Sequence, residues 1–124
     1  MRCIVLPVLG FAFLSSAALA DDNLAKGEQV FKKCAACHSI NDKTNKVGPS
    51  LSGVVGRKVA SFEGYSYSDA MKQFSATGAI WDAATLNVYL ENPKGVVAKT
   101  KMVFAGVKPE DERKALIEFL TSKP

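Results

Sequence analysis

The feature that most constrains this chain is the pentapeptide Cys34-Ala35-Ala36-Cys37-His38, because His38 is its only histidine and Cys3 is the only other cysteine. A site built on several histidines is therefore impossible, and so is a zinc finger that needs two of them. Cys-x-x-Cys-His is the attachment pattern of a c-type haem. Cysteines three apart on a helical turn lie on one face, so both sulfurs reach the two vinyl groups along one porphyrin edge. The histidine that follows brings an imidazole nitrogen to the iron. Two other readings use the same cysteines. A thioredoxin-like dithiol needs a βαβ context, and the region lacks strand-like alternation. A zinc site needs further ligands, and there is no second Cys-x-x-Cys pair.

The first twenty residues read as an address. Arg2 gives a minimal basic start, Ile4 to Leu14 form an eleven-residue apolar stretch broken only by Pro7 and Gly10, and small residues occupy Ala18 and Ala20 before Asp21-Asp22-Asn23. This is the pattern of a secretory signal peptide (1–20) cleaved after Ala20, with a periplasmic destination. An uncleaved anchor is the alternative, but the apolar run falls short of the roughly 20 residues a membrane span needs. Cleavage removes Cys3 and leaves residues 21–124 as a single domain. In an oxidising compartment its two cysteines would ordinarily pair unless something else claimed them.

Composition fits this division. Of 124 residues 48% are apolar, but fifteen of those lie in the first twenty, so the remaining 104 are a thinner, glycine-punctuated chain. A single domain of this size is expected, with no repeat or low-complexity tract.

Local patterns predict helices separated by long irregular stretches. Leu24, Gly27, Phe31 and Cys34 recur at three- and four-residue spacing, with Asp21, Asp22 or Asn23 available as a cap. Ser39 to Ser66 has no sustained period, and so long a stretch belongs in a compact domain only if it packs over something functional. A short helix is expected over Tyr67–Phe74, another from Asp82 through Leu86, Tyr89 and Leu90 to near Pro93, and a last one starting around Pro109 with Leu116, Ile117, Phe119 and Leu120 buried.

The chain resembles class I cytochrome c, on the bacterial branch closest to the mitochondrial protein. The resemblance spans residues 22–122 and rests on ordered motifs: Gly27, Phe31, the Cys34–His38 pentapeptide, Gly48-Pro49-Ser50-Leu51, Gly56-Arg57-Lys58, Tyr65-Ser66-Tyr67-Ser68-Asp69-Ala70, Trp81, Tyr89-Leu90-Glu91-Asn92-Pro93-Lys94, and Thr100-Lys101-Met102-Val103-Phe104-Ala105-Gly106. It implies an all-α cytochrome c fold: short helices and long loops wrapped around one covalent haem c, with the N- and C-terminal helices crossing where Gly27 and Phe31 meet Leu116 and Phe119.

It also implies roles. Cys34 and Cys37 form the thioethers; His38 and Met102 are the axial ligands. The Pro49 carbonyl accepts from the free ring nitrogen of His38. Arg57, Tyr67, Trp81 and Thr100 hold the propionates, Tyr89 donates to the Met102 sulfur, and Phe104 shields the haem edge. Met71 and Ala98-Lys99 depart from the family pattern, and Lys72–Ile80 is a few residues longer than in mitochondrial relatives. The implied function is one-electron transfer between redox proteins, not catalysis, by a protein expected to be monomeric. The rival is a haem protein with a labile Met102 acting as peroxidase or gas binder, although with His38 bound no histidine remains for acid–base work. The net charge of +4, with Lys33, Lys46, Lys94, Lys101 and Lys108 around the haem edge, implies acidic redox partners. Nucleic acid is not expected, for no dense basic run interleaves with aromatics.

Overall fold

A computed structural model describes Gly10 and residues 17–124. Most of the expected signal peptide therefore lies outside the described residues. Five helices are present among the described residues: α1 (Ala17–Phe31), α2 (Asp69–Ala76), α3 (Ala83–Glu91), α4 (Pro93–Val96) and α5 (Glu110–Thr121). The only extended pairing among them is an isolated antiparallel bridge between Lys58 and Ile80, so the fold is all-α, as expected.

The frame of the molecule is the crossing of α1 and α5. A Cβ on Gly27 would come within 2.1 Å of the Ala115 carbonyl oxygen and 2.7 Å of the Phe119 Cβ. Only a glycine lets the two backbones approach that closely, and the approach brings the Phe31 and Phe119 rings to 5.4 Å. Val30, Phe31, Leu116, Phe119 and Leu120 are all buried there. Each such side chain is worth about 2 kcal/mol of burial, far more than the exposed Lys26–Asp111 and Lys33–Glu112 ion pairs at the margin. The partner expected for Gly27 is refined: the contact is with Ala115 and Phe119.

The helix ends follow capping chemistry. Asp82 accepts the Thr85 N–H at 2.8 Å and starts α3. Ser68 accepts the Met71 N–H at 3.1 Å and starts α2, two residues later than the hydrophobic pattern placed it; a side-chain cap overrides a weak periodicity. Pro109 sits one residue before α5, at the cap itself, with Glu110, Asp111 and Glu112 in the first turn. At the other end, α1 runs through Asp21–Asn23 from Ala17, so those residues do not cap it in the uncut chain. Alanine-rich sequence upstream simply extends the helix.

The segment after Met102 is anchored from behind. Val107 donates its N–H to the Leu90 carbonyl at 2.7 Å. The buried Arg113 of α5 donates to the Val107 and Lys108 carbonyls at 3.1 and 2.7 Å, and to Asn87 Oδ1 at 3.0 Å. The long 39–66 segment, despite its lack of period, is a series of hydrogen-bonded turns tied to itself and to Trp81: Leu51 N–H to Ser39 O at 2.8 Å, Gly56 N–H to Trp81 O at 2.8 Å and Trp81 N–H to Arg57 O at 2.9 Å.

Candidate functional site

After Phe31 the chain leaves α1 in tight turns. Cys34 N–H bonds to Phe31 O at 2.7 Å, Cys37 N–H to Cys34 O at 3.1 Å and His38 N–H to Cys34 O at 2.9 Å. Cys34, Cys37 and His38 all line a cavity of about 360 Å³. The two thiols are free rather than joined. Burial pushes the Cys34 thiol up to about 11, so it is a neutral, soft sulfur rather than a thiolate.

The imidazole of His38 is held from two sides. Its Nδ1 lies 2.7 Å from the Pro49 carbonyl, and a carbonyl only accepts, so Nδ1 carries the proton and Nε2 keeps its lone pair. Burial lowers the pKa of His38, and the Pro49 bond opposes this less strongly; the neutral form is the one that binds a metal. Gly48 forms the floor of this cradle. A Cβ there would fall 2.3 Å from His38 Cε1. Gly48 was visible in the sequence as half of Gly48-Pro49, but its role appears only when the ring is seen against it.

Met102 lines the same cavity. Its N–H is accepted by Thr100 Oγ1 at 3.2 Å, and the Tyr89 hydroxyl donates to its sulfur at 4.0 Å. Tyr89 is buried between α3 and the cavity, with its ring 4.8 Å from Trp81, and burial pushes its phenol up to about 12. It therefore stays a neutral donor.

The remaining polar lining suits a bound anion. Arg57 is half-buried, donates to the Ser50 and Ser52 carbonyls at 2.8 and 3.3 Å, and has no acidic partner among the described residues. Desolvation is the main influence on its guanidinium. Tyr67 accepts the Phe62 N–H at 3.1 Å, which leaves its own proton to donate. Trp81 is buried with its indole facing the cavity. A half-buried cation without a counter-ion is stable only if a carboxylate or water completes it.

All eleven expected site residues, Cys34, Cys37, His38, Pro49, Arg57, Tyr67, Trp81, Tyr89, Thr100, Met102 and Phe104, line this one cavity. So does Met71. Leu51, Val54, Leu86, Leu90 and Leu120 add apolar walls to it, none of them among the expected site residues. Of the five expected docking lysines, Lys33 and Lys101 line the cavity. Lys46 donates to the Ala35 carbonyl at 2.8 Å, beside the cysteine turn, Lys108 to the Glu91 carbonyl at 2.7 Å, and Lys94 is exposed in α4. No group of three or more His, Cys, Asp or Glu among the described residues is placed to hold a metal ion alone, so the zinc reading has no ligand set. The isolated bridge rules out a βαβ unit around Cys34 among the same residues.

Two soft thiols, one imidazole lone pair, a thioether in the same lining and a cation without an acidic partner among the described residues make a donor set that fits a planar, dicarboxylate-bearing porphyrin. The family model described as Cytochrome c matches residues 24–123. The chain belongs to the cytochrome c family. Cytochrome c2 of Rhodomicrobium vannielii is 46% identical over 125 residues, covering 99% of this chain and 98% of the relative. Cytochrome c-550 of Ancylobacter novellus is 52% identical over 87 residues, covering 69% and 81%. The solved structure of cytochrome cH from Methylobacterium extorquens superposes with a TM-score of 0.74 at 42% identity, covering 81% of this chain and 98% of that one. As a member of this family the protein carries one covalently attached haem c and serves as an electron carrier.

Proposed function

We propose that Cys34 and Cys37 are the thioether attachment points, that His38 and Met102 are the two axial ligands, and that the protein is a one-electron carrier with no catalytic turnover of its own. When bound, the haem supplies an iron that cycles between ferric and ferrous. The observation that carries the reading is that Cys34, Cys37, His38 and Met102 line one and the same cavity, with the imidazole proton already committed to Pro49.

Each residue then has a distinct task. His38 presents Nε2 in a fixed orientation, so it need not reorganise when the charge of the site changes. Met102 offers a neutral thioether, which favours the ferrous state; a raised potential in Met/His cytochromes c is a general property of that ligand pair. Tyr89 and Thr100 hold the Met102 side chain and backbone. With both ligand positions taken, a substrate has no place to bind, and no second histidine exists to move a proton for peroxide chemistry. That favours a carrier over a peroxidase.

The export reading is part of the proposal: cleavage after Ala20 and function in the periplasm. It draws support from the start of the family match at residue 24. Docking is proposed at the open rim, where Val47 and Val103 are 76% and 92% exposed beside Lys33 and Lys101, with Lys46, Lys94 and Lys108 extending the basic field toward an acidic redox partner. Stopped-flow electron transfer with a carboxylate-rich redox protein tests the carrier and docking readings together. Rates are expected to fall several-fold between low and physiological salt. Salt-independent rates would exclude charge steering, and rapid cyanide or carbon monoxide binding would exclude a doubly ligated carrier.

A further inference from the structure

The two ligand-bearing loops approach one another on the open side of the cavity, and a single side chain touches both. Tyr65 donates its hydroxyl proton to the Val47 carbonyl at 2.9 Å. Val47 immediately precedes Gly48, which packs so close to the His38 ring that a Cβ would fall 2.3 Å from Cε1. On its other side, the Tyr65 ring carries the Lys101 ammonium at 4.8 Å from its centroid, and the same ammonium donates to the carbonyl of Ser66, the next residue along. Lys101 immediately precedes Met102. The ring is held in place by an edge contact with Tyr67 at 4.8 Å.

We propose that Tyr65 is a positioning residue that straps the His38 loop to the Met102 loop, and so restrains Met102 from leaving the iron. The inference rests on the axial-ligand reading given above. The loops are otherwise anchored to different elements: the first to Cys37 through the Gly48 N–H, the second to α3 and α5 through Val107 and Arg113. Neither anchor joins them across the rim. Tyr65 supplies one hydrogen bond to the first loop and a cation–π contact to the second, and it brings the Ser66 carbonyl within reach of Lys101. An ammonium over an aromatic face and a neutral hydrogen bond are each modest. Acting on a loop whose release is a local event, they set a rate without setting the fold.

The test uses the purified holoprotein and its Tyr65→Phe, Tyr65→Leu and Ile117→Val variants. Ile117 is buried in α5 and does not line the cavity, so its variant reports what a small loss of global stability does by itself. For each, the methionine–iron charge-transfer band of the ferric form and the rate of cyanide binding at neutral pH are recorded, with the thermal midpoint alongside. The band is expected in all four. Cyanide binding is expected to accelerate roughly 3- to 10-fold in Tyr65→Phe, which loses only the Val47 bond. It accelerates further in Tyr65→Leu, which also loses the ring, and stays at the native rate in Ile117→Val. Native rates in both Tyr65 variants, with the band intact, would overturn the strap and leave the ligand assignment standing. Equal acceleration in Ile117→Val would reduce Tyr65 to a packing residue. Absence of the band in the unmodified protein would overturn the ligand assignment and the strap with it.

Discussion

The Nδ1 atom of His38 lies 2.7 Å from the carbonyl oxygen of Pro49, which commits one ring nitrogen and leaves the other as the only imidazole lone pair in the chain. The same loop places Gly48 so close that a Cβ would meet His38 Cε1 at 2.3 Å. Gly48→Ala is therefore expected to push the ring off its carbonyl. Holoprotein yield falls several-fold, and any holoprotein recovered loses about 1–3 kcal/mol in denaturant unfolding. Native yield and stability would mean that the loop gives way and the cradle is not rigid.

Gly27→Ala makes a contrasting case. Its Cβ would collide with backbone at Ala115, a contact that no rotamer relieves. The helix crossing is expected to open at a cost of about 1–3 kcal/mol, while the ferric spectrum of the folded fraction stays native, because Gly27 does not line the cavity. A shifted spectrum with unchanged stability would invert that assignment.

Arg57 has two carbonyl partners but no carboxylate among the described residues. If it faces a haem carboxylate, Arg57→Gln removes a positive charge near the redox centre and favours the ferric state. The reduction potential is expected to fall by about 20–60 mV, the effect of a unit charge at intermediate dielectric. A potential unchanged or raised in a redox titration would place the guanidinium's charge elsewhere.

Asp82 predicts a pH dependence. Its carboxylate accepts the Thr85 N–H, and that bond is the leading cause of a pKa held below 3.8. A depressed folded-state value stabilises the protein above the unfolded value and is lost as pH falls through the folded one. Asp82→Ala should lower the thermal midpoint by a few degrees at neutral pH, with the difference from native closing as the pH falls through and below the ordinary aspartate range. A difference that persists undiminished in acid would rule out the charged cap.

Much of this was legible in the sequence, for identifiable reasons. The Cys34–His38 turn needs local spacing only, and Asp82 and the Glu110–Glu112 run mark helix starts by capping and dipole chemistry that the folded chain uses directly. The family resemblance names eleven site residues, and these converge on one cavity. What the pattern did not carry was contact between residues distant in the chain. Gly48 under His38, Ser50 accepting from Arg57 and Tyr65 between Val47 and Lys101 each join irregular segments that have no period to read. The start of α2 was misplaced for a smaller reason, since the Ser68 cap outweighs the apolar spacing of Tyr67 and Phe74.

The central claim is that His38 and Met102 close both ligand positions of a covalent haem. The absorption spectrum of the purified ferric protein, recorded with that of Met102→Ala and followed by mixing with cyanide, tests it most directly. The account predicts a methionine–iron charge-transfer band that is absent in Met102→Ala, and cyanide binding far slower in the native protein than in the variant. A native protein that lacks the band, or that binds cyanide as fast as Met102→Ala, would contradict it.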